Sequence, residues 1–186
     1  MAYGTLFLAL LESALEKEEA KLNELAAICQ RQGICPSLQS VRQFDEGWIS
    51  YILAIEQMDS SRCPALHFGT GRTDAYFVSG EKVLAAFKLK GPLRSSLSMT
   101  NAQKVLDNFT KQSQIAKPNL ETYVVLLLHG SQSELRSYVE EITTNAAQAA
   151  RITCVQISKD IPLNLDGEML RICSFRVEAR VMARAL

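Results

Sequence analysis

The feature that most limits how this chain can fold is an uninterrupted apolar segment in its C-terminal half. Residues 122–128 read TYVVLLL, and turn-forming residues flank them on both sides. A strand with one solvated face alternates apolar and polar residues, whereas a strand covered on both faces is apolar along its whole length. The segment therefore predicts a central strand with other layers of structure packed against both of its faces.

Helices are predicted from apolar residues that recur at spacings of three and four. Four segments show this spacing: residues 5–31, 44–58, 99–115 and 132–149. Asp45 can cap the second helix, and Ser131 with Glu134 can form a capping box at the start of the fourth. The apolar stripe of the first helix is expected to pack against a neighbour, and this helix is also a candidate surface for a homodimer or a protein partner.

Short strands are predicted before and after the central one. Residues 65–90 contain three β-prone segments separated by turns, which indicates an antiparallel meander. Gly80 supplies the positive φ of the second connection, and Gly91 with the following proline is expected to end the third strand. Later strands are expected at residues 152–157 and 173–177, the last one at an edge of the sheet.

Together these elements predict an α/β sandwich with a mixed sheet. The chain has 186 residues, of which 47% are apolar. This length and composition favour a single domain, residues 1–186, and exclude a disordered chain. We interpret residues 1–35 as an N-terminal helical addition and residues 44–186 as the core.

Cysteine and apolar patterns indicate a cytoplasmic location. The five cysteines are irregularly spaced and form no Cys-x-x-Cys pair, so neither a disulfide framework nor a zinc site is expected. The longest apolar run is far shorter than the roughly 18 residues of a membrane span. The N-terminus lacks the basic start and cleavage site of a signal peptide. We therefore expect reduced thiols and no membrane association.

One carboxylate and two lysines are expected to converge in the predicted hairpin. Asp74 opens one strand, and Lys88 and Lys90 close its partner. Antiparallel pairing brings the start of the first strand beside the end of the second, and lysines two residues apart point to the same face. An aspartate can hold Mg²⁺ through oxygen, and a lysine can orient a water molecule or offset phosphate charge.

The segment GRTD (residues 71–74), followed by a hairpin and then by FKLKG (residues 87–91), resembles the core of the PD-(D/E)xK, or restriction-endonuclease-like, nuclease superfamily. The resemblance covers about residues 44–128 and implies a three-layer core. It also implies an endonuclease, a phosphodiester hydrolase acting on DNA, with magnesium as cofactor and manganese as its substitute. In that interpretation Asp74 is a metal ligand and Lys90 is the catalytic lysine.

The chain departs from this motif at the second acidic position, which falls on Lys88. Two unit charges about 4 Å apart interact by about 4 kcal/mol at a surface-like dielectric, so a cation at this position opposes metal binding. Glu46 or Asp107 could supply a replacement carboxylate, or Lys88 could turn towards solvent or phosphate. If Lys88 instead pairs with Asp74, the chain is expected to be a catalytically inactive nuclease-fold protein that binds nucleic acid or a protein partner.

Charge is segregated along the chain although its total is zero. Residues 81–117 contain seven basic and two acidic residues, a net charge of +5, whereas residues 1–60 have a net charge of −5. A basic stretch beside the predicted site is where a nucleic-acid backbone, DNA in particular, would approach. Arg72, Arg94 and Lys104 are the candidate nucleic-acid contacts, and ordinary solvated surface is the alternative.

Overall fold

A computed structural model describes residues 3–34, 39–60, 64–69, 73–94, 99–163 and 167–179. These residues form a mixed α/β fold with four α-helices and an open, mostly antiparallel sheet of seven strands. The helices are α1 (Tyr3–Arg31), α2 (Glu46–Ser60), α3 (Met99–Ile115) and α4 (Gln132–Ala149), and a short 3-10 helix covers Val41–Gln43. The strands are β1 (Ala65–Phe68), β2 (Ala75–Ser79), β3 (Lys82–Arg94), β4 (Glu121–Gly130), β5 (Arg151–Ile157), β6 (Ile161–Pro162) and β7 (Met169–Glu178).

The strand order in the sheet is β1-β2-β3-β4-β7-β5, and β6 pairs with β7. Only β3 and β4 pair in parallel, because α3 carries the chain back across the sheet between them. The predicted meander, the four predicted helices and the mixed character of the sheet are confirmed. Among the described helices, none has the length and apolar character needed to cross a membrane.

The apolar segment of residues 122–128 lies within β4, in the interior of the sheet. Tyr123, Val125 and Leu127 are buried in the cluster that contains α1 and α2 residues. The alternate residues Val124, Leu126 and Leu128 are buried in a second cluster with α3 and α4 residues. The prediction of a strand covered on both faces is confirmed, and the sheet lies between two helical layers.

The prediction that the late strand lies at an edge is wrong. β7 lies between β4 and β5: it pairs with β4 over residues 169–177 and with β5 over residues 173–178. The alternation of polar and apolar residues suggested one solvated face, yet Ser174 is buried and Arg176 forms an ion pair with Glu121. α1 packs against β7 and β5 pairs on its outer side, so the strand is interior, although the side chain of Arg176 is 40% exposed.

Helix α1 belongs to the same core as the sheet. Phe7 stacks on Phe87 of β3 with 4.0 Å between ring centroids, and it is fully buried. The first two thirds of the apolar stripe of α1 are thus used inside the chain, whereas Leu25 and Ile28 near its end are exposed. At the start of α2, Asp45 caps the helix as predicted, and Trp48 is 45% exposed.

Strand β3 continues past Gly91, where the sequence predicted its end. Gly91 has a φ of +117°, and a Cβ atom there would collide with the carbonyl oxygen of Leu127. Glycine therefore permits a bulge, a one-residue irregularity in strand pairing, between Lys90 and Leu93. Beyond it the strand resumes pairing and brings Arg94 beside His129 of β4.

Candidate nucleic-acid interface

The β2–β3 hairpin brings Asp74 and Lys88 together through a change of register. The two-residue turn pairs Ser79 with Lys82, but a bulge between Phe77 and Val78 shifts the pairing by one residue. The shifted register pairs Ala75 with Phe87, and its continuation places Asp74 opposite Lys88. Residues opposite one another in an antiparallel pair share a face of the sheet, so the bulge decides which side chain Asp74 meets.

Asp74 and Lys88 form a largely buried ion pair. The Lys88 Nζ donates a hydrogen bond to Asp74 Oδ1 at 2.7 Å, and the Leu89 backbone N–H donates to Asp74 Oδ2 at 2.7 Å. The side chains of Lys88 and Asp74 are 13% and 18% exposed. Both oxygens of the carboxylate therefore already accept hydrogen bonds, one of them from a cation.

Lys90 has a different partner. Its Nζ contacts the carboxylate of Glu46, the first residue of α2. Glu46 therefore does lean towards the site, but it meets an ammonium group rather than completing a set of carboxylates. The structure thus brings the predicted residues together at one end of the hairpin, arranged as two ion pairs.

Helix α3 supplies the other wall of a cleft that Lys88 and Lys90 line. Residues 104, 107, 108 and 111 lie on one face of α3, since three or four residues make one helical turn. The cleft has a volume of about 690 Å³, and its charged α3 residues are Lys104, Asp107 and Lys111. Both α3 lysines are exposed, and Asp107 accepts a hydrogen bond from Gln103. The cleft therefore holds four lysines and one aspartate.

The predicted basic contacts have different positions. Lys104 lines the cleft, Arg94 lies at the end of β3 and is absent from the cleft lining, and Arg72 lies outside the described residues. Lys111 lines the cleft but was missed as a candidate. Its spacing of seven residues from Lys104 places the two side chains on the same helical face, and this signal was available in the sequence.

A second polar cluster, which the sequence did not indicate, surrounds Glu168. Arg42 Nη1 donates to Glu168 Oε2 at 2.7 Å, and His129 Nδ1 lies 3.2 Å from the same oxygen. Burial lowers the pKa of His129, and the neighbouring Glu168 only partly offsets this. Burial acts to raise the pKa of Glu168, but the hydrogen bonds from Arg42 and His129 outweigh it and hold that pKa below its ordinary value.

The residues of the site do not fit a magnesium ion as they stand. Within the described parts of the chain, no group of three or more His, Cys, Asp or Glu side chains is placed to hold a metal ion. Mg²⁺ requires oxygen ligands in near-octahedral geometry, and the oxygens of Asp74 are already engaged. Asp74 and Glu46, the predicted ligands, are each paired with a lysine.

The buried thiol of Cys173 is not an activated nucleophile. Burial raises the pKa of the Cys173 thiol to about 12, so this thiol is protonated at neutral pH. Cys29, Cys154 and Cys173 are free thiols, and the two other cysteines lie outside the described residues.

Comparison with known proteins gives no family for this chain. It matches no protein-family model, no curated protein and no solved structure. A function is therefore inferred from the arrangement of its side chains.

Proposed function

We propose that this protein is a catalytically inactive nuclease-fold protein that binds nucleic acid in the cleft between β3 and α3. The observation that carries the proposal is the ion pair between Lys88 and Asp74. Lys88 stands at the position where the PD-(D/E)xK resemblance implies a second acid. Its ammonium group binds Asp74, the aspartate that would otherwise be a metal ligand. The protein accordingly holds a phosphodiester backbone without cutting it.

The order of elements supports a nuclease-like ancestry. A helix, a three-stranded meander, a helix and a strand parallel to the last meander strand follow one another in α2, β1–β3, α3 and β4. This is the order that the resemblance implies. The start of α2 contacts the hairpin at Lys90, the residue that this interpretation makes the catalytic lysine.

The charge of the cleft supports binding of a polyanion. Lys88 and Lys90 are each balanced by a carboxylate, whereas Lys104 and Lys111 share the described cleft lining with one carboxylate, that of Asp107. The two exposed α3 lysines are about 10 Å apart along the helix axis, which is about three nucleotide rises of a DNA strand. They can therefore contact separate phosphates of one backbone.

Fluorescence anisotropy with labelled DNA and RNA, single- and double-stranded, tests the proposal directly. We expect binding that weakens as salt rises, because phosphate contacts release counterions. Removing both α3 lysines by Lys104→Ala and Lys111→Ala should reduce the slope of log affinity against log salt by about two. Lys82→Ala is the matched control, since Lys82 lies at the opposite end of β3 and does not line the cleft.

Two results would overturn the proposal. One is the absence of binding to any of the four nucleic acids at low salt, which would favour a protein partner. The other is an equal effect of Lys82→Ala and of the α3 double substitution, which would place the contact outside the cleft.

A magnesium-dependent DNA endonuclease is the second candidate. The contact between Lys90 and Glu46 favours it, because it places a second carboxylate at the same end of the hairpin as Asp74. Incubating supercoiled plasmid with the protein and Mg²⁺ or Mn²⁺ distinguishes the two candidates. Nicking by the unmodified chain would show that it is a nuclease. Nicking by the Lys88→Glu variant alone would indicate that Lys88 inactivates the site.

A further inference from the structure

We infer that the ammonium group of Lys88 is a built-in cation that takes the place of a divalent metal ion in this cleft. The inference rests on the proposed function and deepens it: nucleic acid is bound without any divalent cation. The geometry around Asp74 carries the inference, because that carboxylate is the residue the resemblance assigns to the metal.

Both groups that donate hydrogen bonds to Asp74 belong to strand β3. The N–H of Leu89 and the ammonium of Lys88 come from consecutive residues of β3 and donate to the two different oxygens of the carboxylate. A metal ion at Asp74 would have to displace an ammonium group that is mostly shielded from solvent. The displaced charge would then lie beside the metal and oppose it.

The balance of charge shows why such a site needs no metal. The basic residues are four, Lys88, Lys90, Lys104 and Lys111, and the acidic residues are three, Glu46, Asp74 and Asp107, which leaves a net charge of +1. A site with glutamate at position 88 would have a net charge of −1 and would repel phosphate until a cation was added. The identity of residue 88 therefore sets whether nucleic-acid binding depends on a metal.

Calorimetric titration with MnCl₂ tests the inference without nucleic acid or activity. The unmodified chain should show no saturable Mn²⁺ binding, and Lys88→Glu should acquire one site. Lys88→Gln is a second variant that removes the cation and adds no charge, and it should acquire weaker Mn²⁺ binding. Circular dichroism identifies the variants that fold, and only those are compared.

Saturable Mn²⁺ binding by the unmodified chain that is lost in Asp74→Asn would overturn the inference. So would the absence of Mn²⁺ binding in both folded position-88 variants, since it would mean that Lys88 is not what excludes the metal.

Anisotropy titrations with a DNA oligonucleotide, in EDTA or in CaCl₂ at matched ionic strength, test the consequence for binding. For the unmodified chain, Ca²⁺ should leave the affinity unchanged or weaken it, because divalent ions compete for phosphate. For Lys88→Glu the affinity in EDTA should fall about tenfold, and Ca²⁺ should restore it.

The outcomes separate the two proposals. If the unmodified chain binds DNA only when Ca²⁺ is present, the inference fails and the proposed function survives. If it binds under neither condition, the proposed function fails, and the Mn²⁺ titration still decides whether Lys88 excludes a metal.

Discussion

Two ion pairs of similar burial lie at different places in this molecule. Lys88 with Asp74 belongs to the β2–β3 hairpin, and Arg171 of β7 donates two hydrogen bonds to Asp160, at 2.6 and 2.7 Å. Each of the four side chains is less than a fifth exposed. Burial and pairing alone therefore do not separate a structural pair from a candidate site.

The two ion pairs differ in the charged residues that surround them. The cavity beside Arg171 contains one other basic residue, Arg136, and that residue forms its own ion pair with Glu140. The cleft beside Lys88 holds two further exposed lysines, Lys104 and Lys111, against one aspartate. Under the proposed function, it is the unbalanced positive charge of Lys104 and Lys111 that makes the surroundings of Lys88 a nucleic-acid surface.

The largest expected effect is on stability, at the pair that lies away from the cleft. Asp160→Ala leaves the guanidinium of Arg171 largely buried without its carboxylate, and this should lower the free energy of unfolding by about 3 kcal/mol. Urea denaturation measures the change. Nucleic-acid affinity should stay within about twofold of that of the unmodified chain, since the pair lies outside the cleft. A large loss of affinity would mean that the Arg171–Asp160 pair also contributes to binding.

At the cleft a smaller effect is expected, on DNA affinity rather than on stability. Asp74→Asn removes one negative charge and releases the ammonium of Lys88 towards bound phosphate, so DNA affinity measured in EDTA should rise about fivefold. The matched control is Asp160→Asn, which removes the same charge elsewhere and should leave affinity unchanged. Equal gains in DNA affinity in both variants would mean that the change in net charge, and not the release of Lys88, causes the gain.

Acidification should destabilise the cluster around Glu168. The folded-state pKa of His129 lies below its ordinary value of 6.5, so protonation favours the unfolded chain, and stability falls as pH decreases from about 6.5 towards the folded pKa. Glu168 also has a lowered pKa, so its contribution is lost at still lower pH. Thermal melts of His129→Gln should show a weaker dependence on pH between about 5 and 7. An unchanged dependence would exclude His129 as its source.

The smallest effect is expected at Arg94, which the sequence placed among the nucleic-acid contacts. It lies beside His129 and does not line the cleft. Arg94→Ala should therefore change DNA affinity less than about twofold, against about tenfold for the double substitution of Lys104 and Lys111. A loss as large as that of the double substitution would extend the interface to the end of the sheet.

The sequence predicted the elements well because their signals are local. The boundaries of α3 and α4 follow from helical spacing, and the capping box of Ser131 and Glu134 is confirmed. The position of β7 was mistaken because β5 pairs with it on the side away from β4. Alternation of polar and apolar residues describes the two faces of a strand and does not show which strands pair at its sides.

The candidate site was only partly predictable for the same reason. The hairpin pattern brought Asp74 and the lysines to one end of two paired strands. Without the bulge between Phe77 and Val78 the register would place Asp74 opposite Phe87 rather than Lys88, and a register shift of one residue cannot be read from composition. The contact between Lys90 and Glu46 joins elements that are 44 residues apart and depends on how α2 packs.

A crystal structure of the protein soaked in MnCl₂, with anomalous scattering used to locate manganese, tests directly whether Lys88 excludes a metal from Asp74. Lys88 Nζ should stay within hydrogen-bonding distance of Asp74 Oδ1, and no manganese should lie at this carboxylate. Manganese bound to Asp74, with Lys88 turned away from it, would show that Lys88 does not take the place of the metal.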